Sequence, residues 1–159
     1  MTQEAEQQIA ARFNVQKVLR FVLGAENYGI KVEFVQAVID TAPHTFIPNT
    51  PRFVHGMINL RGTLIPIINL KELLRMPHET SGNEMMVVIE KPMKAGFLVD
   101  KVEEVMDIDF STLQPPPSSV STFGGESIAG IHKHYDTIIT ILDIAKIINT
   151  AKEMISKYS

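Results

Sequence analysis

A chain of 159 residues with 45% apolar side chains can bury one real hydrophobic interior, and its formal charge of −3, without any run of Lys or Arg, lacks the electrostatic footprint of a nucleic-acid binder. No apolar stretch reaches the roughly 18–20 residues that a helix needs to cross a bilayer. The absence of cysteine excludes disulfides, thiolate nucleophiles and zinc–thiolate sites together.

Residues 1–14 open with the polar, Gln-rich stretch Met1–Ala11, which has no basic start followed by an apolar run. A disordered tail is expected there, not a secretory signal, with the cytoplasm as location and one domain over 15–159. The apolar run Val18–Leu23 ends in the polar break Gly24–Asn27, and beyond Gly29 apolar residues recur at Ile30, Val32, Val35 and Val38. Run, break, glycine and alternation read as a β-hairpin, followed by a third strand over 36–41. Asn49-Thr50-Pro51 has the form of a helix start, Thr50 capping, with a helical turn through Phe53 and Val54. Gly62 supplies the positive φ of a tight turn before the Ile-rich run Leu64–Ile68. Asn69 can then cap a short helix holding Leu73 and Leu74.

Pro, Ser and Gly in 76–83 mark a boundary between two halves. A second hairpin is expected from Met85–Ile89, the break Glu90–Lys94 and Gly96, then a strand over 103–109. Thr112–Glu126 is a loop stiffened by Pro115-Pro116-Pro117 and carrying Gly124-Gly125. Ile138–Leu142 belongs to a last hairpin. Ile144–Tyr158 is expected to be a helix with Ile144, Ile147, Ile148, Ala151 and Ile155 on one stripe.

The two halves match. Ile30, Val32, Val35 and Val38 stand at the same offsets from Gly29 as Phe97, Val99, Val102 and Val105 do from Gly96. Leu64, Ile65, Ile67, Ile68 and Asn69 follow Gly56 as Ile138, Ile139, Ile141, Leu142 and Asp143 follow Gly130. This is the pattern of a duplication. Each half then holds about five short strands, which curl most easily into a small barrel without exposed edges. A barrel of about 60 residues is marginal alone, so a mostly β fold of two five-stranded barrels, consecutive or interleaved, around a shared core is expected. The Ile-rich hairpins, apolar on both faces of the pleat, belong in that core.

Catalytic constellations are missing. His132, His134 and Asp136 alternate, but by the repeat they match Ile58, Leu60 and Gly62, so they are read as a solvated turn and not as a metal site. His44, His55 and His78 lie near Pro or Gly and are expected at the surface. Glu103 and Glu104, adjacent on a strand, point to opposite faces and read as solvated charge. No nucleophile elbow, phosphate loop or dinucleotide fingerprint occurs, so neither an enzyme nor a cofactor is expected. A small nucleic-acid-binding barrel would need a basic groove with stacking aromatics, and this chain has no Trp and no such clusters. Arg61, projecting from the Gly62 turn, reads alone as a solubilising residue.

The segment Val54-His55-Gly56-Met57-Ile58-Asn59-Leu60-Arg61-Gly62-Thr63-Leu64-Ile65-Pro66-Ile67-Ile68-Asn69-Leu70 closely resembles the central motif of the CheW family. Tyr28-Gly29-Ile30, Ala95-Gly96-Phe97-Leu98-Val99-Asp100 and the stretch from Gly130 to Ile148 are similar to its other strands. The resemblance implies two five-stranded SH3-like barrels around a common core. It implies an adaptor linking the cytoplasmic tips of methyl-accepting chemoreceptors to the regulatory domain of a CheA-type histidine kinase, in flagellar or another chemosensory pathway such as pilus motility. Carried over, receptor binding falls to Val35, Gly56 and Arg61 in a groove between barrels, and kinase binding to Asp40, Thr41 and Ala42. Two positions depart from the family pattern. Many members carry an acidic residue where this chain has Ala37, and many have Asp-Leu-Arg where it has Asn69-Leu70-Lys71.

Overall fold

The computed structural model describes residues 2–5, 14–40, 51–74, 76, 84–91, 93–116 and 127–156. Its strands are β1 (Val15–Leu23), β2 (Glu26–Lys31), β3 (Val35–Asp40), β4 (Val54–Leu60), β5 (Thr63–Asn69), β6 (Glu84–Glu90), β7 (Met93–Val99), β8 (Lys101–Asp109), β9 (Ile128–His134) and β10 (Thr137–Leu142). Helix α1 (Leu70–Leu73) follows β5, and α2 (Ile144–Ser156) follows β10. Each helix starts where a side chain accepts a bond from a free backbone N–H, Asn69 from Glu72 and Asp143 from Lys146.

The strands form two five-stranded sheets, ordered β8-β1-β2-β10-β9 and β3-β6-β7-β5-β4, referred to below as the β1 barrel and the β6 barrel. Advancing every strand by five places turns the first order into the second. The duplication extends to register. Gly56 pairs with Ile67 and Gly130 with Ile141 in the antiparallel hairpins, while Gly96 pairs with Ile67 and Gly29 with Ile141 in the parallel contacts. A half-chain does not make its own barrel. Each sheet draws strands from both halves, because β3 leaves β2 for β6, and β8 leaves β7 for β1. The barrels are interleaved, and the shared core lies where their outer faces meet.

That core contains Phe21, Ile30, Phe53, Ile68, Met86, Phe97 and Leu142, with Ile144, Ile147, Ile148 and Ala151 from the apolar stripe of α2. Each barrel also has a small interior of its own. Ile58, Ile65, Ile67, Met85, Val87 and Leu98 fill the β6 barrel, and Val18, Ile108, Ile139 and Ile141 fill the β1 barrel. The Ile-rich hairpins are therefore divided between cores. Ile68 and Leu142 enter the shared one, whereas Ile67 and Ile141 point into their own barrels, as alternation along a pleat requires. Gly29 and Gly96 mark the tightest approach: a Cβ on Gly29 would strike Val18, and one on Gly96 would strike Met85.

Several expectations are corrected. Leu64 and Ile138, the first members of the Ile-rich runs, are 65% and 55% exposed, since they flank the hairpin turns beyond the packed region. The helical turn expected at Phe53 and Val54 is a single hydrogen-bonded turn, Val54 N–H to Pro51 O at 3.0 Å. The backbone of Phe53 is already committed to the sheet, accepting from Asn69 at 2.7 Å. Thr50 lies outside the described residues. Of the tail, Gln3–Ala5 form a helical turn whose start is held by Ala5 N–H donating to Thr2 Oγ1. Only Met76 of the expected boundary is described, and the 112–126 loop is described as far as Pro116. There Gln114 exchanges two backbone bonds with Ile131, and Leu113 covers the space where a Gly130 side chain would be.

Candidate functional site

The β4–β5 turn is made by Arg61 and Gly62, with φ of 54° and 85°. Positive φ at both central residues is the hairpin turn whose twist matches its strands. Glycine adopts it freely, but for arginine it is sterically unfavourable. Asn59 helps to hold the turn, its side-chain oxygen accepting from Gly62 N–H at 2.9 Å. Arg61 is exposed at the mouth of the β6 barrel, where it lines a cavity of about 240 Å³ with Gln36, Ala37, Ile39, Leu60, Thr63, Ile65 and Lys94. Its walls are apolar and its rim carries two cations. Among the described residues, neither Arg61 nor Lys94 belongs to an ion pair.

The other residues singled out by sequence do not converge on this cavity. Gly56 is buried in the β4–β5 ladder opposite Ile67. Val35 packs against the shared core. The cause is a bulge in β3: Val35 pairs with Val88 but Ala37 with Val87, so Gln36 is the extra residue. Val35 follows Val88 toward the shared core, and Ala37 follows Val87 into the β6 barrel. Arg61 thus faces the open end of one barrel, where the other described lining residues all belong to a single sheet, and not a groove between the two. Asp40 is exposed at the end of β3 opposite Glu84, on this same barrel. Thr41 and Ala42 lie outside the described residues.

The corresponding mouth of the β1 barrel is polar. Glu104 stands at the position matching Ala37, and Arg20 donates to its two carboxylate oxygens at 3.0 and 2.8 Å and also to Asn27. These hydrogen bonds hold the Glu104 carboxyl below its ordinary range and raise Arg20 further. A bulge equivalent to that in β3 sets Glu103 and Glu104 across from Arg20, so both carboxylates are paired with it, although Glu104 stays more than half exposed. His132 and His134 are also not in a turn. They end β9 with ring centroids 6.1 Å apart, and the turn itself is Tyr135-Asp136. Burial, and then the neighbouring His134, push His132 below its ordinary value. Among the described residues no group of three or more His, Asp or Glu could hold a metal ion. His55, expected at the surface, is half-buried in β4; His44 and His78 lie outside the described residues.

Sequence reasoning noted Lys71 without its contact, and it missed Lys94. Lys71 is buried at the start of α1, with its ammonium 2.8 Å from both oxygens of Asp100, so it ties the helix to the β7–β8 turn. Its departure from the family pattern is therefore a structural contact, distant from the Arg61 cavity. Lys94 gave no local signal, because only the fold brings β7 to the mouth of the β6 barrel.

A family model described as "CheW-like domain" matches residues 17–152. The chain is 34% identical over 140 residues to the chemotaxis protein CheW of Thermotoga maritima, covering 86% of this chain and 91% of the relative. It is 29% identical over 140 residues to that of Treponema pallidum, covering 84% and 82%. Among solved structures, the scaffolding protein TtCheW from Thermoanaerobacter tengcongensis superposes with a TM-score of 0.73 at 35% identity, over 80% of this chain and 88% of that one.

Proposed function

The chain belongs to the CheW-like domain family and serves chemotaxis as an adaptor, and we propose that it does so by bridging a chemoreceptor cytoplasmic tip to the regulatory domain of a CheA-type histidine kinase. It catalyses nothing itself and acts in the cytoplasm as one unit over 15–159, with residues 1–14 outside it. No helix among the described residues is long and apolar enough to cross a membrane. The observation that carries the reading is the turn at Arg61, an exposed guanidinium held in an unfavourable backbone conformation over an apolar-walled cavity. A strained, exposed, charged residue beside apolar surface contributes little to folding and much to recognition. Val35 and Gly56 support the site from behind, by shaping β3 and β4, and the kinase takes the surface around Asp40, Thr41 and Ala42.

Arg61→Glu tests this. Its stability should change by no more than about 0.5 kcal/mol, as at other surface sites. Affinity for a receptor-tip fragment should fall about 30-fold or more, while much of the affinity for the kinase regulatory domain remains. Calorimetric titration with each partner decides the matter. An unchanged receptor affinity removes Arg61 from the site, and an unfolded variant makes it structural.

A further inference from the structure

We propose that the cavity beside Arg61 receives an acidic side chain from the receptor segment that docks there, held between Arg61 and Lys94. This rests on the reading of Arg61 as receptor-binding and adds the chemistry of what binds. The duplication supplies an internal comparison. In the β1 barrel, Arg20, Asn27 and Glu104 form one closed network, so that mouth carries its own carboxylate and neutralises its own cation. The matching positions of the β6 barrel are Val87, Lys94 and Ala37. Val87 is buried in the barrel interior with Ala37 against it. Leu60 and Ile58 replace His134 and His132. Among the described residues this mouth is more apolar than its twin, carries no carboxylate and has two cations on its rim.

Among the described residues, no acidic side chain lines this cavity. At about 240 Å³ it is several times the ~30 Å³ that a water occupies in the liquid, which is room for a Glu or Asp side chain with neighbouring methylenes against Leu60 and Ile65. The Arg61 guanidinium offers a planar fork to both oxygens of a carboxylate, and the Lys94 ammonium adds a point charge from β7, the strand beside β5. The cations here differ from that of the twin barrel, since Arg61 matches Tyr135 and Lys94 matches Asn27, so a carboxylate arriving from the partner would meet charges that the β6 barrel alone carries.

The test uses the full chain and a receptor-tip fragment, titrated at two salt concentrations. Ala37→Glu places in this barrel the carboxylate its twin carries, and should weaken binding about tenfold. Ala37→Gln, of the same size without the charge, should weaken it clearly less. Lys94→Gln should weaken binding about three- to tenfold and flatten the salt dependence. Equal losses for Ala37→Glu and Ala37→Gln, with no loss for Lys94→Gln, overturn the proposal. Arg61→Glu is measured alongside. A loss there without one at Lys94 removes only the carboxylate inference, whereas no loss at either removes the receptor-site reading itself. Lys94 lies on the rim, so its substitution keeps the test informative should either change at position 37 fail to fold.

Discussion

Arg20 meets Glu104 because β8 bulges. Leu19 pairs with Val105 and Phe21 with Val102, which leaves Glu103 and Glu104 opposite the single residue Arg20. A strict two-residue period sends adjacent glutamates to opposite faces, so the pair is invisible in the sequence. It has a pH signature. The folded carboxyl of Glu104 titrates below its ordinary range, so its contribution to stability is present above the unfolded value and is lost as pH falls through the folded one. The neutral form of His132, favoured by burial, adds a loss of the same sign that begins below about pH 6.5. In denaturant titrations, wild type should lose more stability than Glu104→Gln between about pH 5 and pH 3. The difference should be small, since Glu104 is more than half exposed. Parallel losses for the two proteins contradict the assignment. At Arg61, sequence identified the turn from Gly62 but not the positive φ of the arginine itself, for which no residue-level signal exists.

The elements were legible wherever hydrophobic period and turn chemistry agreed. The Val18–Leu23 run, the breaks at Gly24 and Glu90, and the caps at Asn69 and Asp143 all became the strands, turns and helix starts they suggest. Legibility failed where a bulge shifted the period. The extra residue Gln36 puts Val35 in a different core from Ala37 and Ile39, and so removes it from the expected grouping with Arg61. It failed also in assigning each face to its core. Ile67 and Ile141 are almost fully buried but in different interiors. Ile67→Ala and Ile141→Ala should each cost about 2–5 kcal/mol in chemical denaturation. Because they share no neighbours, the double variant should lose the sum within about 0.5 kcal/mol. A loss below about 1 kcal/mol at both sites places them outside the cores, and strong non-additivity merges the two interiors into one.

At the scale of the molecule, the spacing of matched residues revealed the duplication but could not show which strands pair. Pairing depends on where β3 and β8 go after leaving their hairpins, and they cross to the other sheet. Neither half therefore contains a complete barrel. Fragments 1–80 and 81–159 should each be largely unfolded by circular dichroism and should regain β signal when mixed; a half that folds alone contradicts the interleaving. Interleaving also joins the two barrels through a common core, so the Arg61 mouth sits on a body that has a second, unlike mouth. Two unlike surfaces on one body suit an adaptor. The most direct measurement is co-sedimentation of a CheA-type kinase with receptor-bearing membranes, with and without this chain. The kinase should enter the pellet only when the chain is present, and Arg61→Glu should abolish that recruitment. Equal pelleting of the kinase with and without the chain would contradict its role as the link between them.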